Sequence, residues 1–162
     1  MFDIDGVICD VSERYARSLE EAGGRSLREL HSKKRRKFWR VFLSEKYMHL
    51  DKPNPRGIEL VRLRKRQGYF IVLLSGRRYD TQYKFTLRQL RQWGVPFDRI
   101  FLRPSGLLVK DYVFKGRVLR RLILSGYEVV EFHDDSLEII EYVRVNFPNM
   151  RVILWENLQP IV

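Results

Sequence analysis

From Arg56 onward the chain alternates between two hydrophobic periods, and that alternation narrows the fold more than any other feature. Arg56 to Gln67 carries helical spacing and stops at Gly68, and Tyr69 to Leu74 is then an unbroken apolar run. Such a run is the mark of a strand buried on both faces. A helix follows, with Asp80 as its expected cap, Tyr83, Leu87, Leu90 and Trp93 along one side, and Gly94 at its end. Arg99 to Leu102 reads as a strand, and Tyr112 to Leu124 as a helix carrying Val118, Leu119, Leu122 and Ile123. Tyr127 to Phe132 is the next strand, Leu137 to Val145 the next helix, and Val152 to Trp155 the last strand. Repeated strand–helix–strand units predict an α/β fold with a mostly parallel sheet and right-handed crossovers. Ligands of such sheets bind beyond the carboxyl ends of the strands.

The chain opens on Phe2-Asp3-Ile4-Asp5-Gly6-Val7. Residues two apart on a strand share a face, so Asp3 and Asp5 at a strand end are expected to reach one ligand. Gly6 lets the backbone turn sharply or come close to that ligand. Two ionised carboxylates this near repel each other, so the pair calls for a hard divalent ion, a shared proton, or both. A strand running into an acidic turn accounts for the same residues. Only Met1 and Phe2 precede Asp3, so this first strand is expected to span three or four residues.

Three more features fall at expected strand ends. Ser75-Gly76-Arg77 offers a hydroxyl and backbone amides at the mouth of a helix, where phosphate oxygens are readily held, although Ser-Gly is also a common turn. Lys110-Asp111 precedes a helix with Lys115 in its first turns, placed to cancel charge on a carboxylate or phosphate, or simply to face solvent. His133-Asp134-Asp135 is a second acidic pair in a basic chain. Oxygen ligands from two strand ends around one hard ion is how magnesium is held. His133 reads as structural, because a softer metal would ask for more histidine and thiolate ligands than the chain offers.

Residues 11–52 have a different character. Val11, Tyr15, Leu19 and Ala22 mark one helix, ended by Gly23-Gly24. Ser26 and Glu29 form the expected capping box of a second. That second helix carries Lys33-Lys34-Arg35-Arg36-Lys37, between His31 and Trp39, and the segment closes at Lys52-Pro53-Asn54-Pro55. It reads as a small basic helical insertion, leaving 1–10 plus 53–162 as the core. The formal charge of +11 over 162 residues favours a polyanionic partner, nucleic acid above all, or else a charged, thermophile-like surface. A basic run beside an aromatic suits a nucleic-acid backbone with a base stacked on the ring, and a solvated helix face suits it as well. One cysteine, Cys9, fits a reducing cytosol. No apolar run approaches the roughly 20 residues of a membrane span, and the start lacks a signal-peptide pattern, so a cytoplasmic protein is expected. Oligomeric state is not legible.

Taken together, Asp3-Ile4-Asp5-Gly6, Ser75, Lys115 and Asp134-Asp135 appear in the order and places that resemble the haloacid-dehalogenase (HAD) superfamily of phosphotransferases. The resemblance implies a three-layer, Rossmann-like fold with a five-stranded, mostly parallel sheet, and residues 11–52 as a helical cap. It implies Asp3 as the nucleophile that takes the phosphoryl group, and Asp5 as the acid that protonates the leaving oxygen and then activates water. Ser75 and Lys115 would hold the transferring group. Magnesium would sit on Asp3, the Asp5 carbonyl and Asp134, with Asp135 in support. The aspartate at position 5 points to a phosphatase or, less often, a phosphomutase. A closer resemblance joins Ser75-Gly76-Arg77, Tyr83, Thr86, Gly94-Val95-Pro96, Arg103 and Lys110-Asp111 to the phosphatase domain of polynucleotide kinase–phosphatase. That domain removes 3′-phosphates from nucleic-acid ends and nucleotides. By this analogy Gly76, Arg77 and Arg103 contact substrate and Asp111 supports the site. The kinase signature GxxxxGK[ST] does not occur in the 162 residues. The same chemistry on a small metabolite, such as a sugar phosphate or phosphoglycolate, and a non-catalytic nucleic-acid-binding module are the competing readings.

Overall fold

The structure, a computed structural model, describes residues 1–161. Its strands in chain order are β1 (Cys9–Asp10), β2 (Lys52–Pro53), β3 (Val72–Arg78), β4 (Arg99–Arg103), β5 (Glu131–Asp134), β6 (Arg151–Glu156) and β7 (Gln159–Ile161). Ahead of them, the short Met1–Asp3 segment occupies the centre of the main sheet, hydrogen-bonded on both sides. On one side Phe2 N donates to Val72 O, and Leu74 N to Phe2 O. On the other Asp3 N donates to His133 O and His133 N to Met1 O. The sheet order is β4, β3, Met1–Asp3, β5, β6, β7, all parallel except the β7 edge. A central strand this short is held because both neighbours supply its partners.

Helices cover both faces: α3 (Pro55–Arg66) and α4 (Tyr79–Gln92) on one, α5 (Asp111–Leu124) and α6 (Leu137–Asn146) on the other. Strand alternation assigns the side chains. Phe2, Ile4 and Leu73 pack with Ile58, Val61 and Leu90 on the first face. Val72, Leu74 and Phe132 pack with Val118, Leu119, Leu122, Ile140 and Val143 on the second. Each such side chain contributes roughly 1.5–3 kcal/mol by leaving water, which is how two dense apolar layers hold the strand ends in place.

Residues between β1 and β2 form a separate lobe, α1 (Ser12–Ala22) and α2 (Ser32–Phe42), with its own core of Leu19, Ala22, Leu30, Phe38 and Phe42. Cys9 and Asp10 pair antiparallel with Pro53 and Lys52, so the lobe's entry and exit are stitched together. None of the helices is long and apolar enough to cross a membrane among the described residues.

Four boundaries differ from expectation. Ser26 does not cap α2; its hydroxyl accepts from Arg28 N at 3.2 Å in a turn, because Leu30 must first bury against Gly24. Asp80 lies inside the first turn of α4 and pairs with the Arg78 side chain, while Arg78 is the cap position. The strand expected over Tyr69–Leu74 runs from Val72 to Arg78, with Tyr69 and Phe70 exposed at its foot. The strand expected over Tyr127–Phe132 likewise shifts forward, to Glu131–Asp134. An apolar run marks burial, whereas the ladder extends as far as a partner strand continues. β7 has no counterpart in the sequence-based expectation; it follows a two-residue turn in which Asn157 and Leu158 both have positive φ, the geometry of a tight hairpin.

Candidate active site

The backbone leaves the sheet immediately after Asp3. Ile8 N and Cys9 N both donate to Ile4 O, and Gly6 takes φ +76°. The same-face expectation for Asp3 and Asp5 therefore does not hold: Asp5 sits in a turn, and the two carboxylates go to different neighbours. A Cβ on Gly6 would lie 2.1 Å from an Asp135 carboxylate oxygen, so glycine is required there by both φ and space.

Asp3 is buried at the end of the central strand, facing Asp134 at the end of β5. Lys115, from the second turn of α5, reaches between them, its Nζ donating to Asp3 Oδ2 at 2.8 Å and to Asp134 Oδ2 at 2.7 Å. Asp111, one turn earlier, stands 3.7 Å from the same ammonium. Burial raises the Asp3 carboxyl well above its ordinary range; Lys115 opposes this, and Asp134 and Asp135 add to it. Burial raises Asp134 too, against Lys115. For Lys115 burial alone would lower the ammonium, but Asp134 and Asp3 hold it well above its usual value. Asp135, shielded where it packs on Gly6 and then repelled by Asp134, is pushed up to about 7 although it reaches solvent.

Asp3, Asp134 and Asp135 each present a carboxylate oxygen within 4.8 Å of the others. One ammonium among three carboxylates leaves negative charge uncompensated, and the donors are all oxygen, which fits a hard divalent cation. His133 is outside this set: Trp155 Nε1 donates to its Nδ1 at 3.1 Å, its ring stacks on Phe2 at 4.3 Å, and burial pushes it down to about 4. It is a neutral core residue, as its sequence context suggested.

Asp5 belongs to a second cluster. Arg14 Nη2 donates to Asp5 Oδ2 at 2.7 Å and Arg77 Nε to Asp5 Oδ1 at 2.8 Å. Burial alone would raise the Asp5 carboxyl, but Arg14 and then Arg77 bring it below its usual range. Arg77, expected at the substrate, is 1% exposed, with its remaining donors on Thr86, Gln89, Cys9 and Asp51. Arg103, also expected at the substrate, instead ties down the loop after β4, donating to the carbonyls of Leu107 and Val109 and to Asp111 Oδ1. Gly76 lies against Asp111, whose carboxylate a Cβ would meet at 2.9 Å. Ser75 is buried midway along β3, where the regular register with β4 ends, its hydroxyl accepting from Arg77 N at 3.3 Å.

Arg14 and Asp51 escape the sequence reading. Arg14 does leave a trace, because it falls on the stripe of Val11, Tyr15, Ser18, Leu19 and Ala22, where a charge is out of place. Asp51 leaves none.

Comparison with known proteins puts this geometry in a family. The family described as the polynucleotide kinase PNKP phosphatase domain matches residues 30–152, a span that includes Ser75, Lys115 and Asp134 and begins after Asp3 and Asp5. No curated protein matches the chain in sequence. Among solved structures, the chain is similar to one from a Pnkp1/Rnl/Hen1 complex, with TM-score 0.67 and 20% identity over 94% of this chain and 44% of that one. A second structure, of the Pnkp1/Rnl/Hen1 RNA repair complex, gives TM-score 0.67 at 19% identity, covering 94% and 40%. The chain thus spans less than half the length of these two relatives. A phosphoglycolate phosphatase, so described by prediction, from Haemophilus somnus gives TM-score 0.63 at 15% identity, covering 99% of this chain and 87% of its own.

Proposed function

The chain belongs to the family of the PNKP phosphatase domain and is a HAD-type phosphatase, and from that premise we propose that it is a magnesium-dependent phosphomonoesterase acting through an aspartyl-phosphate, with 3′-phosphate ends of nucleic acid or nucleotides as substrate. The observation that carries the reading is the meeting of Asp3, Asp134 and Lys115 at adjacent strand ends.

In this reading Asp3, the Asp5 carbonyl and Asp134 hold magnesium, with Asp135 in support. The ion would supply charge neutralisation of the phosphate oxygens and so make phosphorus open to attack by an anion. An Asp3 oxygen attacks phosphorus as the bond from phosphorus to the leaving 3′-oxygen breaks, and Asp5 gives that oxygen a proton. Asp5 then takes a proton from water, which attacks the same phosphorus, releases phosphate and restores the Asp3 carboxylate. Splitting one transfer into two lowers each barrier. Lys115 and Ser75 steady the transferring group, and Asp111 keeps Lys115 in place. Arg14 and Arg77 favour the Asp5 anion, the form that takes a proton from water, and the proton so gained is the one that the protonated Asp5 gives to the leaving oxygen of the next substrate.

Residues 11–52 are the cap of this reading, over a core of 1–10 plus 53–162, and the β1–β2 pairing lies at that boundary. Within the cap, Lys34 donates to Gly23 O at 2.7 Å and Arg35 to Leu27 O at 3.3 Å. Lys33, Arg36 and Lys37 are exposed, and half-exposed Trp39 follows Arg36 by one helical turn. That surface, and the RNA repair assembly in which a relative occurs, favour a nucleic-acid end over a metabolite.

The test is phosphate release with magnesium from a 3′-phosphorylated oligonucleotide, its 5′ counterpart, a 3′-nucleotide and several sugar phosphates, each beside an Asp3→Asn control. Preference for the 3′-phosphorylated end, lost in the control, is expected. Preference for a sugar phosphate would replace the substrate and keep the chemistry, and release that survives Asp3→Asn would overturn the mechanism.

A further inference from the structure

Asp51 closes the cap, immediately before the Lys52–Pro53 strand, and its side chain is wholly buried. It lies against the same two arginines that grip Asp5. Arg77 Nη2 donates to Asp51 Oδ2 at 3.0 Å, and Gln89 Nε2 to the same oxygen at 3.2 Å. Arg14 Nε stands 2.9 Å from Asp51 Oδ1, a close ion pair whose angle is not that of a hydrogen bond, so these two buried atoms are paired by charge alone. Arg14 comes from the first cap helix, Asp51 from the cap's return, and Arg77 from the end of β3. Two cations and two anions thus form a closed quartet across the join between cap and core.

We propose that Asp51 is a positioning residue for Asp5: it is the second carboxylate that keeps Arg14 and Arg77 compensated when Asp5 turns from them toward the leaving oxygen. The inference rests on the reading of Asp5 as the acid and base of the reaction. The physical reason is the cost of an uncompensated buried charge. Removing one partner of a buried ion pair strands the other in a medium that solvates it poorly. If Arg14 and Arg77 had Asp5 alone, every departure of that carboxylate would strand two guanidinium groups, and Asp5 would stay where it is. With Asp51 on the same arginines, facing Arg14 Nε and sharing Arg77 Nη2 with Asp5, one anion remains when the other leaves. Gln89 fixes Asp51 from behind, donating to Met48 O at 2.8 Å as well, and accepts from Arg77 Nη1 at 2.8 Å. Asp51 makes no hydrogen bond or ion pair with Asp3, Lys115 or Asp134 among the described residues, so its effect on the reaction has to pass through the arginines and Asp5.

The experiment compares kcat/KM on two phosphates that differ in their need for a proton. A nucleoside 3′-phosphate has a poor leaving oxygen and needs general acid help, which is worth about 10²–10⁴-fold, whereas the nitrophenolate of 4-nitrophenyl phosphate leaves unprotonated. Because kcat/KM ends at the first irreversible step, it reports the acid half of the cycle alone. Asp51→Asn, shown folded by circular dichroism, is expected to lose about 10²-fold on the nucleoside phosphate and less than about 3-fold on the aryl phosphate. Asp51→Glu, which keeps the charge and displaces it, is expected to show the same pattern at about a tenth of the size; it carries the test if the asparagine variant does not fold. Equal losses on both substrates in a folded variant, or no loss on either, would overturn the inference. Asp5→Asn runs alongside: if it loses equally on both substrates, the reading of Asp5 as the acid fails, which is a different result from failure at Asp51.

Discussion

The two aspartates of the opening motif stand two residues apart and live in opposite electrostatic settings. Around Asp3 one lysine, already bridging Asp3 and Asp134, is the cation beside the Asp3–Asp134–Asp135 cluster, so the site is short of positive charge and open to a cation. Around Asp5 two arginines serve two carboxylates, and the cluster is complete in itself. The first cluster is built only from the sheet and α5, whereas the second joins the α1–α2 lobe to the sheet. An electrically incomplete site binds and reacts, whereas a complete one holds a group in position. In the proposed mechanism that contrast, more than the motif itself, separates the nucleophile Asp3 from its acid–base partner Asp5.

The sharpest way to break the contrast is at Asp3. Asp3→Asn is expected to lower turnover by about 10³-fold or more, as loss of a nucleophile does. It should not cost stability. The Asp3 carboxyl is raised in the folded state, so its contribution is greatest below its unfolded pKa and is lost as pH rises through the folded one; near neutrality an uncharged asparagine folds at least as well. A marked drop in melting temperature at pH 7 would mean that Asp3 is a structural ion-pair partner.

Next come the cations of the two clusters. Lys115→Met strands Asp3 and Asp134, and Arg14→Met strands part of the quartet; each is expected to cost about 3–5 kcal/mol, or roughly 10 °C in melting temperature for a chain of this size. Magnesium should restore much of the first loss and none of the second. Equal rescue of both, or of neither, would erase the distinction between an open and a closed cluster.

In the unsubstituted protein, magnesium at about 100 times its dissociation constant is expected to add roughly 2.7 kcal/mol to folding stability. Asp134→Asn should abolish that increment in thermal unfolding. An increment that persists would move the ion elsewhere.

The smallest effect is expected on the exposed face of α2. Replacing Lys33, Arg36 and Lys37 by glutamine should flatten the dependence of kcat/KM on salt for an oligonucleotide, by at most about 0.7 in slope for each phosphate no longer neutralised. Turnover of a mononucleotide should not change. An unaltered salt slope would leave the basic run as a solvated helix face.

Much of this molecule is legible in one dimension, and the exceptions have a common cause. Burial runs and helical periods place α3, α5 and α6 to within a residue or so, because packing against a sheet imposes those periods on the sequence. Strand ends slip by several residues at Val72–Arg78 and Glu131–Asp134, because a ladder ends where its neighbour ends. The resemblance to the polynucleotide kinase–phosphatase domain implies Arg77 at the substrate; here Asp5, Asp51, Thr86 and Gln89 enclose it, a set of partners that no spacing along the chain announces.

The sequence by itself determined the alternating α/β frame, the helical character of the segment between Asp10 and Pro53, and the residue types collected at the strand ends. These are local, since each is written in the spacing of neighbours along the chain. Only the tertiary structure decided that Asp5 turns away from Asp3, that Lys115 lies between two carboxylates, and that Arg14, Asp51 and Arg77 close on one another. Those pairings join residues 9 to 112 positions apart, and the energy of a buried charge depends on who its neighbours are in space.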